Sequence, residues 1–157
     1  MKRLLLIVVL VAATALKVDA QNIRLGDRIP TIHVDSELGK GLELAPKEHV
    51  CLIFIHTESH PCHEAIREIQ EIGEEITSRA NVVLITTEAR GCEKNISHLI
   101  EGFECSLAYD VDRKTFKSFG IQYVPCGVIY STKRNRAEWF GSLQQLNAET
   151  LKRITDK

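Results

Sequence analysis

Two apolar blocks in the middle of the chain have the clearest structural periodicity. The run from Val50 to Ile55 is uninterrupted and apolar, which is typical of a central strand covered on both faces. The apolar residues that follow recur every three or four positions, as on one face of an amphipathic helix: Ala65, Ile66, Ile69, Ile72 and Ile76. This spacing predicts a helix over residues 60–78, directly after the strand.

The rest of the chain repeats this alternation in shorter segments. Apart from a hairpin within residues 32–44, the pattern predicts further strands at 81–87, 107–109, 128–130 and 138–140. It also predicts further helices within 93–103 and at 113–119 and 148–154. Strands that alternate with helices and end in a hairpin-connected pair indicate one α/β domain, with a mixed sheet and helices on both faces.

The N-terminal segment has the pattern of a secretory signal peptide. Lys2 and Arg3 precede an almost continuous apolar run from Leu4 to Leu16, and Val18-Asp19-Ala20 follow before a polar stretch. The run is too short for a good membrane span. We therefore predict that residues 1–20 are a signal peptide and that residues 21–157 are one exported domain, periplasmic or extracellular, without stable membrane insertion.

Charge and cysteine content narrow the functional classes. The formal net charge of −1 gives no basic footprint for nucleic-acid binding. The five cysteines are too sparse for a disulfide-built scaffold, and their odd number leaves at least one thiol unpaired in a monomer. Cys51 begins a buried strand and is expected to pack in the core. A pairing of Cys92 with Cys105 would be structural.

Two short stretches resemble the landmarks of thioredoxin-like proteins. FIHTESHPCHEAIREI, at residues 54–69, is similar to the turn in which a strand ends at a W-C-x-P-C motif and a helix begins. GIQYVPCGVIY, at 120–130, is similar to the turn that carries the cis-proline of these proteins. Residues 25–44 resemble the N-terminal hairpin extension of the exported redoxin branch, which includes peroxiredoxins and thiol-disulfide oxidoreductases. The resemblance covers residues 24–157.

The resemblance implies a role for several residues of these turns. Ser59 takes the position of the first, attacking cysteine, Cys62 that of the second cysteine, and Pro125 that of the cis-proline. In such pairs the first cysteine is reactive because backbone N–H groups and the helix dipole stabilise its thiolate. A serine hydroxyl cannot form a disulfide, so ordinary dithiol exchange between residues 59 and 62 is excluded.

The leading hypothesis is a thiol-disulfide oxidoreductase or redoxin with an atypical S-x-x-C site centred on Cys62. Family geometry makes Cys126, next to Pro125, a conceivable disulfide partner of Cys62, if their Cα atoms lie within about 7 Å. Alternatively, Cys62 acts alone as a peroxidatic or sensing thiol, with Ser59 at the spacing of a peroxiredoxin hydroxyl. Protein thiols would be the partners, and no cofactor is expected.

Two alternatives need no reactive thiol. In the first, the protein is a catalytically inactive binding module whose groove beside Pro125 holds an extended peptide near Val124, His60 and Pro61. Ser59 or His60 would then cap the helix, with Pro61 in its first turn. In the second, nitrogen and sulfur ligands that suit zinc or copper bind a metal: His56, His60, Cys62 and His63. An exposed Cys62 would favour redox chemistry, and a buried one would favour the binding module.

Overall fold

A computed structural model of the chain describes residues 23–36 and 39–156. The predicted signal peptide lies outside the described residues, so its removal stays a prediction. The described residues form a seven-stranded sheet with helices on both faces, as the sequence predicts. No helix within them is long and apolar enough to cross a membrane.

The sheet is mixed. Its strands are β1 (Asp35–Ser36), β2 (Gly39–Lys40), β3 (His49–Ile55), β4 (Ala80–Thr86), β5 (Ser106–Tyr109), β6 (Cys126–Ser131) and β7 (Arg136–Gly141). Their order is β2-β1-β5-β4-β3-β6-β7. The pairs β3–β4 and β4–β5 are parallel, and the other pairs are antiparallel. The predicted strands and the N-terminal hairpin are confirmed, with small shifts at their ends.

The helices within the described ranges are α1 (His60–Glu71), α2 (Gly73–Arg79), α3 (Ser97–Ile100), α4 (Lys114–Ser118) and α5 (Ala148–Thr155). Two 3-10 helices cover Cys92–Asn95 and Leu143–Gln145. The single helix predicted over 60–78 is divided at Ile72. Glycine is unfavourable inside a helix, and Gly73 follows Ile72 directly. The carbonyl of Ile72 then accepts the first hydrogen bonds of α2, from Glu75 and Ile76.

The sheet separates two hydrophobic layers. Side chains alternate between the faces of a strand, so Ile53 and Ile55 of β3 face the layer that contains α1, α2, α3 and α5. Leu52 and Phe54 face the second layer, which contains α4 and apolar residues of the segment 23–34. All seven residues of β3 and all seven of β4 are buried. Burial on both faces explains why the central runs of these strands, Val50–Ile55 and Val82–Ile85, are apolar without interruption.

The sequence motifs meet at one edge of the sheet, where edge means the side at which strands end and not an outer strand. The carboxyl ends of β3, β4 and β5 lie at this edge because these strands are parallel. Strand β6 is antiparallel to β3, so the turn before β6, which contains Pro125, lies at the same edge. Helix α1 begins there as well, shortly after β3. Ligands of open α/β sheets bind at the carboxyl ends of the strands, which makes this edge the candidate site.

Candidate functional site

The turn between β3 and α1 is held by its own main chain. The N–H of Ser59 donates to the carbonyl of His56 at 3.1 Å, and the carbonyl of Ser59 accepts from the N–H of His63 at 3.0 Å. Ser59 is the N-cap residue, but its side chain makes no capping hydrogen bond. Pro61 lies in the first turn, where its missing N–H leaves no helical bond unmade. The helix start is as predicted, whereas the predicted hydroxyl cap is not observed.

Cys62 lies in the first turn of α1 with its side chain turned into the protein. It is 0% exposed and belongs to the same hydrophobic layer as Ala65 and Ile66. Its Sγ accepts the main-chain N–H of His56 at 3.4 Å. A thiol must be accessible to attack another molecule. In this conformation the sulfur is therefore closed to a partner.

Cys126 is the first residue of β6 and is paired with Phe54 across the sheet. It therefore lies on the face opposite α1, in the layer that contains Phe116 and Val128. Burial, followed by the nearby Cys62, raises the pKa of the Cys126 thiol to about 12. Neither Cys126 nor Cys62 is bridged. The two thiols are near enough to interact electrostatically, but they are in different layers, and the structure does not join them in the conceivable disulfide.

The remaining buried thiols have structural surroundings. Cys51 is fully buried in the core, as predicted, and burial raises its pKa to about 12. Cys92 is also buried and unbridged, so it forms no structural disulfide here. Burial, and then the neighbouring Glu88 carboxylate, raise the pKa of the Cys92 thiol. Both thiols stay protonated at neutral pH.

The four predicted metal ligands do not converge. Cys62 is buried, whereas His60 is on the surface with its Nδ1 3.7 Å from an oxygen of Glu64. The Nε2 of His63 lies 2.6 Å from the carbonyl oxygen of Thr57. In the part of the chain that the structure describes, no three His, Cys, Asp or Glu side chains are grouped to hold a metal ion. The structure therefore gives no support to the alternative of a zinc or copper site at residues 56–63.

A groove lies between α1 and the turn before β6. The Val124–Pro125 peptide bond in this turn is cis. The groove has a volume of about 210 Å³, and one wall is formed by α1 residues, including Pro61. Residues 123–125 and 142–144 form the other walls. Of the three residues expected to contact a substrate, Pro61 and Val124 line this groove, whereas His60 does not.

The main-chain N–H and C=O groups of Val124 are available for hydrogen bonding in this groove. No backbone hydrogen bond among the described residues involves its N–H or its C=O, because β6 begins only at Cys126. Such groups pair with the main chain of an added extended segment. The side chain of Tyr123, just before Val124, is 58% exposed and offers an aromatic surface on the same wall.

A polar network at the same edge was not predicted from the sequence. The N–H and the hydroxyl of Thr57 donate to the two carboxylate oxygens of Glu88 at 2.6 and 2.8 Å. The hydroxyl of Thr86 donates to Glu88 at 2.7 Å, and Asn95 donates to the hydroxyl of Thr57 at 3.0 Å. The Nδ1 of His56 lies 3.7 Å from Glu88. The network links the turn before α1 to the loop after β4.

The charge of Glu88 is stabilised by this network. Burial is the largest single influence and raises the pKa of Glu88, but the hydrogen bonds from Thr57 and Thr86, together with the nearby His56, hold it below its usual value. The sequence carried one signal for this group: Thr-Thr-Glu at residues 86–88 comes at the end of a buried strand, where polar side chains of parallel strands gather.

Comparison with known proteins bears on the fold. No family model and no curated protein matches the sequence. Among solved structures, the peroxidoxin BcpB from Mycobacterium tuberculosis is 16% identical, with a TM-score of 0.66 over 86% of this chain and 96% of that chain. A thiol:disulfide interchange protein from Bacteroides sp. is 14% identical, with a TM-score of 0.67 over 86% and 92%.

A third solved structure gives the same result. The peroxiredoxin-like protein from Aquifex aeolicus is 14% identical, with a TM-score of 0.65 over 86% of this chain and 88% of that chain. Each similarity spans most of both chains, and the observed mixed sheet with helices on both faces agrees with the fold that the motif resemblance implies. The chain therefore has the thioredoxin-like α/β fold.

Proposed function

We propose that this chain is an exported binding module on a thioredoxin-like fold, which holds an extended segment of a partner protein in the groove beside Pro125. The observation that carries the proposal is the combination of an open groove with a closed thiol. Val124 offers unpaired main-chain groups in the groove, whereas the Cys62 sulfur is buried. Ser59 adds a chemical reason, because a hydroxyl cannot take part in dithiol exchange.

The physical basis of binding is main-chain pairing supported by side-chain contact. An extended segment that lies along residues 123–125 would satisfy the N–H and the C=O of Val124, as in the addition of a strand to an existing sheet. Tyr123 would cover apolar side chains of the segment, since an aromatic ring buries a large area with few rotatable bonds. Cys62 would support the wall of the groove from inside as a small apolar residue.

The test is a titration of ¹⁵N-labelled protein with short extended peptides, followed by NMR. We expect shifts of the amide signals of Val124 and its neighbours, and an affinity that falls several-fold in Tyr123→Ala. Leu25→Ala is the matched control, because Leu25 is also a large exposed apolar residue, at 68%, and does not line the groove. Equal losses in both variants, or no shifts near Val124, would refute the proposal.

A second function, lone-thiol chemistry at Cys62, is favoured by one specific contact. The N–H of His56 donates to the Cys62 sulfur at 3.4 Å, and Cys62 lies in the first turn of a helix, where a thiolate is stabilised. After an opening motion, the thiolate would attack the O–O bond of a hydroperoxide, forming a sulfenic acid and releasing an alkoxide that takes up a proton.

Mass spectrometry after iodoacetamide treatment separates the two functions. The binding module predicts that Cys62 is unmodified in the native protein and fully alkylated in urea. Rapid native alkylation of Cys62, or a sulfenic acid at this residue after treatment with hydrogen peroxide, would instead support the redox function.

A further inference from the structure

Among the residues that the structure describes, the charged side chains that line the groove are all carboxylates. Glu64 and Glu68 line it from α1, and no described Lys or Arg lines it. Glu64 is at the rim, with its side chain 55% exposed and His60 as a surface neighbour. Glu68 lies one helical turn further along α1 and is less exposed than Glu64.

Glu68 has an unsatisfied acceptor. Its Oε2 atom is buried and has no hydrogen-bond partner among the described residues. Removing a carboxylate oxygen from water without a hydrogen bond is unfavourable, more so than for a neutral group. Because Glu68 lines the groove, a turn of its side chain would present the carboxylate to a donor in the groove and remove this penalty. A cationic donor would gain most, because charge-assisted hydrogen bonds are the stronger ones.

We propose that the groove selects segments that carry a Lys or Arg side chain, with Glu68 as the residue that determines this specificity and Glu64 as a second, more exposed carboxylate. The inference rests on the proposed function and names the class of its partner. Main-chain pairing at Val124 fixes the extended segment, and the cationic side chain reaches across the groove to α1.

Two further features fit a cationic side chain. The ring of Tyr123 is on the wall opposite α1, and an aromatic face attracts both the apolar stem and the charged head of Lys or Arg. The groove, of about 210 Å³, has room for one side chain and a short stretch of backbone but not for a folded domain. An acidic segment would meet two carboxylates without a compensating cation and would be rejected.

The experiment compares three acetylated and amidated peptides, Ser-Val-Arg-Val-Ser and its versions with Gln or Glu in place of Arg, by NMR titration of the same protein. We expect the Arg peptide to bind about tenfold more tightly than the Gln peptide and the Glu peptide to bind most weakly. Glu68→Gln should abolish the preference for Arg over Gln, since it removes the charge and keeps the shape.

The matched control is Glu71→Gln, which removes the same charge from an exposed position of α1 outside the groove, and should keep the preference. If the Arg and Gln peptides bind wild-type protein equally well, the specificity is wrong and the proposed function stands. If Glu68→Gln keeps the full preference, Glu68 is not its source. If no peptide binds, both proposals fail.

Discussion

Replacing Glu88 by glutamine should destabilise the protein at neutral pH. Three donors converge on the Glu88 carboxylate: the N–H and hydroxyl of Thr57 and the hydroxyl of Thr86. Thr57 and Thr86 are fully buried, so these groups cannot turn to bulk water when the acceptor is lost. The carboxylate also lies beside His56, whose attraction disappears with the charge.

The size of the effect follows from the number of buried donors that the substitution leaves without an acceptor. A buried donor without an acceptor costs about 1–3 kcal/mol. The glutamine carbonyl of Glu88→Gln can still accept one or two of the three hydrogen bonds. Its NH₂ group cannot accept, so each remaining donor lies opposite another donor. The side chain is 18% exposed, which allows some relaxation. We therefore expect the free energy of unfolding to fall by about 2–3 kcal/mol at pH 7.

Urea unfolding of wild-type protein and Glu88→Gln, measured across pH, tests both the size and the sign. The pKa of Glu88 in the folded protein is below its ordinary value of 4.5. The stabilisation by the ionised group is therefore present above pH 4.5 and is lost as the pH falls through the folded pKa. The difference between the two proteins should shrink in that acidic range, whereas Glu71→Gln should match wild type at pH 7. Equal stability of Glu88→Gln and wild type at pH 7 would refute the reasoning.

Two further substitutions test the packing and the capping of the fold. A Cβ at Gly127 would lie 2.8 Å from Leu143 Cδ2 and 3.0 Å from the Trp139 ring, so Gly127→Ala should lower the free energy of unfolding by about 1–3 kcal/mol through overpacking. An unchanged urea midpoint would show that the Leu143 and Trp139 side chains can move aside without loss of stability. Asn147 caps α5 by accepting the N–H of Thr150 at 2.8 Å, so Asn147→Ala should cost about 1 kcal/mol in thermal unfolding, and an unchanged Tm would contradict this assignment.

Much of the fold could be predicted because it depends on long apolar segments. The run Val50 to Ile55 and the next strand are buried along their whole length, so their local runs of apolar residues were enough to identify them. The division at Ile72 was missed because the apolar spacing continues through it to Ile76, and only Gly73 marks the change. Periodicity reports which face is buried and not whether the backbone hydrogen bonds continue.

The candidate site was less predictable because it depends on side-chain direction and register. Sequence spacing places Cys62 in the first turn of a helix, but only packing shows that its sulfur points inward. The face on which Cys126 lies depends on its pairing with Phe54, since a shift of one residue would reverse it. In the sequence, Glu68 resembles the other solvated residues of an acidic helix. Only the structure shows that Glu68 and the turn at Pro125 line the same groove.

The division of the long helix at Ile72 also has a mechanical consequence. Helix α2 is anchored at the C-terminal side of the fold, because Glu75 pairs with Lys152 of α5 at 3.1 Å and Arg79 donates to Thr155 at 2.9 Å. Helix α1, which forms a wall of the groove, is not continuous with that anchor. Helix α1 is held instead by its own buried residues Cys62, Ala65, Ile66 and Ile69, so the position of this groove wall depends on core packing and not on the ion pair and hydrogen bond that hold α2.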